Sequence, residues 1–216
     1  MRLVIFDLDG TLLNTIADLA MSTNYALEQC GFPTHNEEVY KHFVGNGIEK
    51  LFERALPQGE QSAENVQRVK AYFMPFYTAH GSDFTRPYDG MPDLLAKLKS
   101  AGYKLAVASN KYQAGTEAMV AKHFPKIAFD AVLGQREGIP VKPHPQIVDD
   151  ILEKIGAEKK NTIYVGDSDV DMMTAQNAHV RSVGVTWGFR TRDELIVHGA
   201  GQIVDSWQEL ESVLMG

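Results

Sequence analysis

Four apolar residues, Leu3-Val4-Ile5-Phe6, lead directly into Asp7-Leu8-Asp9-Gly10-Thr11, and no other segment restricts the chain as much. The apolar run reads as a buried strand of a parallel sheet. In open α/β sheets, ligands and chemistry gather at the carboxyl ends of the strands. Two carboxylates delivered there, one residue apart and followed by a glycine turn, do not serve a core. A buried unpaired charge is too costly to keep, so a cation has to sit beside them. A hard divalent ion is the economical candidate, because Mg²⁺ takes oxygen ligands and usually keeps several waters. Taken alone, the same residues also fit a strand end at which an Asp caps the next turn and Gly10 makes the bend.

The chain as a whole narrows the classes. Its 216 residues suffice for one sizeable core and a small second domain. A net charge of −7 argues against nucleic acid as a partner, since that binding starts from a basic face. No apolar run approaches the roughly 18 residues of a membrane span, and Arg2-Leu3-Val4 is too short for a signal peptide. Cys30 is the only cysteine, so no intrachain disulfide forms, and it reads as an inert core thiol. A cytoplasmic location and no membrane partner are therefore expected.

Short apolar runs alternate with helix-like segments. The runs are Lys104 to Ala108, Asp130 to Leu133, Thr162 to Val165, Val180 to Val185 and Gln202 to Val204. Between them, Met91 to Ser100 places Leu94, Leu95 and Leu98 on one helical face. Gly102 and Gly156 each follow a periodic segment and mark helix ends. Strands alternating with helices predict an α/β fold, a doubly wound parallel sheet. Residues 15–84 break this rhythm, with helical periodicity over Leu19 to Leu27, Val39 to Leu56 and Val66 to Phe76 and no convincing strand. A βαβ crossover takes about a dozen residues or somewhat more, so this block reads as an inserted all-helical cap domain. Residues 1–14 and 85–216 then form the catalytic core.

Three later strand ends carry polar residues that complement the first: Ser109-Asn110-Lys111, Lys142-Pro143-His144-Pro145, and Gly166-Asp167-Ser168-Asp169-Val170-Asp171. Two carboxylates, a hydroxyl with nearby amides, a lysine and further carboxylates make up the set needed to cleave a phosphate monoester with a metal ion. In their order and nearly end to end, these motifs resemble the haloacid dehalogenase superfamily of phosphohydrolases. The chain is most similar to its phosphoglycolate phosphatase-like branch, through Val44-Gly45-Asn46-Gly47, Lys142 to Pro145, Asp167, Asp171 and Gly184 to Arg190.

The resemblance implies a Rossmann-like core with a helical cap placed after the first strand, Mg²⁺ as cofactor and a small phosphorylated metabolite as substrate. It implies Asp7 as nucleophile, forming an aspartyl-phosphate. Asp9 would protonate the leaving alkoxide and then activate water, and its backbone carbonyl would complete a metal shell with Asp7 and Asp167. Thr11, Ser109, Asn110 and Lys142 would surround the phosphoryl group, with Ser109 and the amides after it at a helix N-terminus. Asp171 would stand behind, holding metal-bound water or Lys142. In the cap, Gly45, Asn46 and Gly47 form the candidate specificity loop, although a plain helix–helix turn uses the same residues.

His144, Trp187 and Arg190 receive no role from the sequence. A sugar phosphomutase or a pyrophosphatase would share the core residues. A phospho-accepting signalling domain is a more distant alternative, being about half as long and lacking the helical insertion. A monomer or weak homodimer is expected.

Overall fold

The structure is a computed structural model that describes residues 2–216. The chain divides into two compact units, Asn14–Arg86 and the remainder, where the sequence pattern predicts boundaries at 15 and 84.

In the larger unit, β1 (Leu3–Phe6) is central. Two short paired strands, β2 (Leu13–Asn14) and β3 (Arg86–Pro87), mark the points where the chain passes from one unit to the other. The main sheet adds β4 (Lys104–Tyr112), β5 (Ala131–Gln135), β6 (Thr162–Gly166), β7 (Arg181–Val185) and β8 (Gln202–Val204). Its order is β5-β4-β1-β6-β7-β8, and every pairing is parallel. Leu3 to Phe6 pair with Lys104 to Val107 on one side and Thr162 to Val165 on the other. A strand paired on both edges and covered on both faces must be apolar at every position, which explains the unbroken run Leu-Val-Ile-Phe. The chain leaves β1 in both directions along the sheet, so β1, β4 and β6 end side by side at the point where strand order reverses. That is where an α/β sheet opens a crevice.

Helices α1 (Ile16–Gln29), α2 (Glu37–Phe43), α3 (Ile48–Ala55) and α4 (Ala63–His80) make up the smaller unit. The sheet unit carries α5 (Met91–Ser100), α6 (Gln113–His123), α7 (Gln146–Ile155), α8 (Asp169–Asn177), α9 (Arg192–Val197) and α10 (Trp207–Met215). The helix predicted at Met91 to Ser100 forms, and Leu94, Leu95 and Leu98 are fully enclosed. The strand expected from Asp130 starts one residue later, because Asp130 is used as a connector. Its carboxylate accepts hydrogen bonds from Lys99, Lys104 and the Leu105 amide. Partial burial works against its charge, yet these donors together hold it down at about 2. Cys30 caps the C-terminus of α1 and is half-buried rather than in the core. Among the described residues, no helix is long and apolar enough to cross a membrane.

The smaller unit closes on itself through Asp18, in the first turn of α1. Its fully buried carboxylate accepts from the amides of Phe84 (3.0 Å) and Thr85 (2.7 Å) and from the Thr85 hydroxyl (2.6 Å). The two ends of the insertion are thus tied by one side chain, and no cation pairs with it among the described residues. Removing one partner of a buried charged network strands the donors that remain. Asp18→Ala is expected to cost about 2–4 kcal/mol. Urea unfolding of the full chain measures this as a lowered midpoint, while an unchanged midpoint would mean that water satisfies the stranded amides.

Candidate active site

The Asp7 amide donates to Val165 O at 2.9 Å, continuing the β1–β6 ladder one residue beyond the strand. Its carboxylate is thereby fixed at the lip of the sheet. The turn that follows depends on Gly10, at φ +96°, where a side chain would also overlap the Asp167 carboxylate. Gly188 meets the same limit from the opposite side, since a Cβ there would run into Asp167. Both glycines are needed because backbone closes around one carboxylate from two directions.

Lys142 connects four elements. Its Nζ lies 2.8 Å from Asp7 Oδ1, 2.8 Å from Asp171 Oδ1, 3.0 Å from Ala108 O and 3.0 Å from the Tyr164 hydroxyl. Burial opposes its charge, but Asp171 and Asp7 overcome that and hold the ammonium well above the usual lysine range. Asp171 is fixed in turn by the start of α8. Ser168 Oγ donates to Asp171 Oδ2 at 2.6 Å and accepts from the Asp171 amide, forming a capping box. Both Asp171 oxygens are therefore engaged by protein groups. Asp7 Oδ2 has no hydrogen-bond partner among the described residues, so Asp7 has one clamped oxygen and one open one.

Asp7, Asp167 and Asp171 each offer an oxygen within 4.8 Å of the other two, and all three residues are buried. Asp167 Oδ1 accepts from the Thr11 hydroxyl (2.8 Å) and Oδ2 from the Phe189 amide (2.8 Å). Those bonds do not offset its burial and the charge of Asp171, which push its carboxyl up to about 7. Burial, Asp171 and Asp167 likewise raise Asp7, against the pull of Lys142. Lys142 contacts only Asp7 and Asp171, and Arg190 offsets Asp167 without matching its burial, so the three buried carboxylates are left with a deficit of positive charge. Hard oxygen donors with that deficit fit a divalent cation such as Mg²⁺. Asp7 and Asp167, each with lone pairs to spare, would hold it. The Asp9 side chain lies outside this cluster, leaving its backbone carbonyl as the contribution expected of it.

The Thr11 side chain is fully buried, its hydroxyl donates to Asp167, and its carbonyl accepts the Trp187 indole N–H at 3.1 Å. The Asn110 side chain is committed as well, accepting from the Lys142 amide (2.9 Å) and donating to the Lys142 carbonyl (3.1 Å). It holds the lysine's backbone. Ser109, contrary to expectation, is not at a helix N-terminus. β4 runs on to Tyr112 through an irregular register, and α6 begins only at Gln113. Ser109 Oγ accepts from the Lys111 amide at 3.1 Å, and its hydroxyl proton has no acceptor among the described residues.

Two features escaped the sequence. Lys111 reaches Asp9, at 3.0 and 3.2 Å from its two oxygens. The segment Trp187 to Phe189 wraps Asp167, while Arg190 pairs with Asp169 at 3.5 Å. The spacing of these residues from the strand ends they serve carries no periodic signal. A lysine directly after a strand-end Ser-Asn was the one available hint. Exposed His144 accepts from the Gln146 amide at the head of α7. Gly45, Asn46 and Gly47 link α2 to α3 in the smaller unit, where Arg54 donates to Asn46 Oδ1 at 2.7 Å and to Phe43 O at 2.9 Å.

The raised carboxyls carry a stability consequence. Because Asp167 ionises near 7 in the fold but near its ordinary 3.8 when unfolded, the folded state holds the extra proton between those values. Metal-free protein is therefore expected to lose stability as pH rises through that window. At about pH 8, Mg²⁺ at about a hundred times its Kd should restore about 2.7 kcal/mol. Asp167→Asn should flatten both effects in thermal melts. A metal response that survives this substitution would place the ion elsewhere.

Comparison with known proteins identifies the family. The model of the haloacid dehalogenase-like hydrolase family matches residues 4–185. A phosphoglycolate phosphatase of Vibrio parahaemolyticus is 30% identical over 218 residues, covering 99% of this chain and 96% of the relative. One from Haemophilus influenzae is 31% identical over 219 residues, with 99% and 98% covered. The crystal structure of a putative phosphoglycolate phosphatase from Lactobacillus delbrueckii superposes with a TM-score of 0.92 at 34% identity, with 99% of each chain covered. With its parallel sheet, its strand-end carboxylates and these matches, the chain belongs to the haloacid dehalogenase-like hydrolase family.

Proposed function

We propose that this chain is a Mg²⁺-dependent phosphatase that hydrolyses a small phosphorylated metabolite, of the phosphoglycolate type, through an aspartyl-phosphate on Asp7. One observation carries the reading: Asp7 stands at the end of the central strand with one oxygen clamped by Lys142 and the other open, two residues before a second carboxylate. The names borne by the similar proteins support the substrate class.

The open Asp7 oxygen attacks phosphorus, forming an O–P bond as the bond to the leaving oxygen breaks. Asp9 gives its proton to the departing alkoxide. Asp9 then takes a proton from water, whose oxygen attacks the same phosphorus. The Asp7–phosphorus bond breaks, inorganic phosphate leaves, and both carboxylates return to their starting states. The Ser109 hydroxyl proton is free to meet a phosphoryl oxygen. Lys142, held by Asp171, offsets charge that builds on the equatorial oxygens. A bound divalent cation supplies charge neutralisation, lowering the repulsion between the Asp7 carboxylate and an anionic phosphate.

Phosphate release from a panel of phosphoesters, with Mg²⁺ or with chelator, tests the proposal. Phosphoglycolate is expected to lead hexose phosphates, nucleotides and pyrophosphate, with turnover lost on chelation. Asp7→Asn should lower activity at least about a thousandfold with the fold intact, and Asp9→Asn at least about a hundredfold. Turnover near wild type in clean Asp7→Asn protein would sink the assigned nucleophile.

A further inference from the structure

On the reading of Asp9 as the acid–base group, we infer that Lys111 is a positioning residue, fixing the Asp9 carboxylate where it meets the leaving oxygen. The ammonium spans both Asp9 oxygens, at 3.0 and 3.2 Å, which restrains rotation of the carboxylate as well as its distance. Both side chains are nearly enclosed, 6% and 11% exposed, so little water competes for this contact.

The lysine's backbone is held at both ends. Its amide donates to Ser109 Oγ and its carbonyl accepts from the Thr116 hydroxyl at 3.1 Å. That carbonyl also leaves no room for a side chain at Gly134. A register shift interrupts the β4 ladder between Ala108 and Tyr112, the segment that carries Ser109 and Lys111. The two lysines divide the work. Lys142 holds Asp7 and Asp171, and Lys111 holds Asp9. Two carboxylates leaving one strand end would otherwise repel and settle independently. Proton transfer is sensitive to such settling, since a misplacement of about 1 Å costs about a hundredfold.

Leaving-group chemistry distinguishes positioning from other roles. An alkoxide needs a proton to depart, whereas nitrophenolate is stable as an anion. The readout is kcat/KM with Mg²⁺ for an alkyl substrate, 2-phosphoglycolate, and an aryl one, 4-nitrophenyl phosphate, since it reports the steps through departure. Lys111→Met in the full chain is expected to lose about a hundredfold on the alkyl substrate with KM unchanged, and only a few-fold on the aryl one. Lys111→Arg keeps the charge but moves the donors, and should show a smaller split of about tenfold. It also serves as the readout if the Met variant does not fold.

Asp9→Asn, run alongside, should show the alkyl–aryl split at full size. Its absence there would overturn the reading of Asp9 itself. A split in Asp9→Asn without one in the Lys111 variants would overturn the inference alone. Equal loss on both substrates with a raised KM would make Lys111 a phosphoryl ligand instead.

Discussion

The contacts of Lys142 organise the site, because a single ammonium there neutralises carboxylates brought in from separate parts of the chain. Its Nζ touches Asp7 after β1, Asp171 in α8, Tyr164 in β6 and the Ala108 carbonyl in β4. The two carboxylates among them, Asp7 and Asp171, could not both stay charged side by side in the interior without it, since like charges at low dielectric repel strongly. The clamp still falls short of full neutralisation, and that shortfall is chemically useful. It leaves Asp7 and Asp167 displaced upward and makes a divalent cation the natural completion of the cluster.

The sheet makes this convergence possible. β1 lies between β4 and β6, so three strand ends open at one place while the chain segments joining them pack elsewhere. Each strand end is then shaped by a local device: the Gly10 turn, the register shift after Ala108, and the capping box that starts α8. These devices re-aim side chains that a regular strand would send alternately to opposite faces. Rigid strands and irregular ends are complementary, the first giving position and the second giving direction.

Legibility followed sequence distance. Asp7 and Asp9 were readable because strand, carboxylates and glycine turn are contiguous, and Asp167 and Asp171 because they repeat the pattern after β6. Met91 to Ser100 was readable because its apolar period is local. The contact of Thr11 was not readable because its partner, Asp167, lies 156 residues away, nor that of Asn110, which bonds backbone 32 residues away. A hydroxyl or amide beside a catalytic motif looks the same in sequence whether it faces a ligand or braces a neighbour. The role of Lys111 was hidden for a related reason: its place in a strand-end motif was readable, but its partner is 102 positions distant.

The sequence by itself determined the alternating α/β class, the helical interruption after the first strand, and the carboxylates and lysine that stand at the strand ends. Those properties reside in periodicity and in residue type, which are local. Only the tertiary structure decided which polar groups are consumed in holding others. It turned Thr11 and Asn110 into braces, enclosed Asp167 with the Trp187 to Phe189 segment, and brought Lys111 to Asp9. The physical reason is that hydrogen bonds and ion pairs act over about 3 Å in space and are indifferent to separation along the chain.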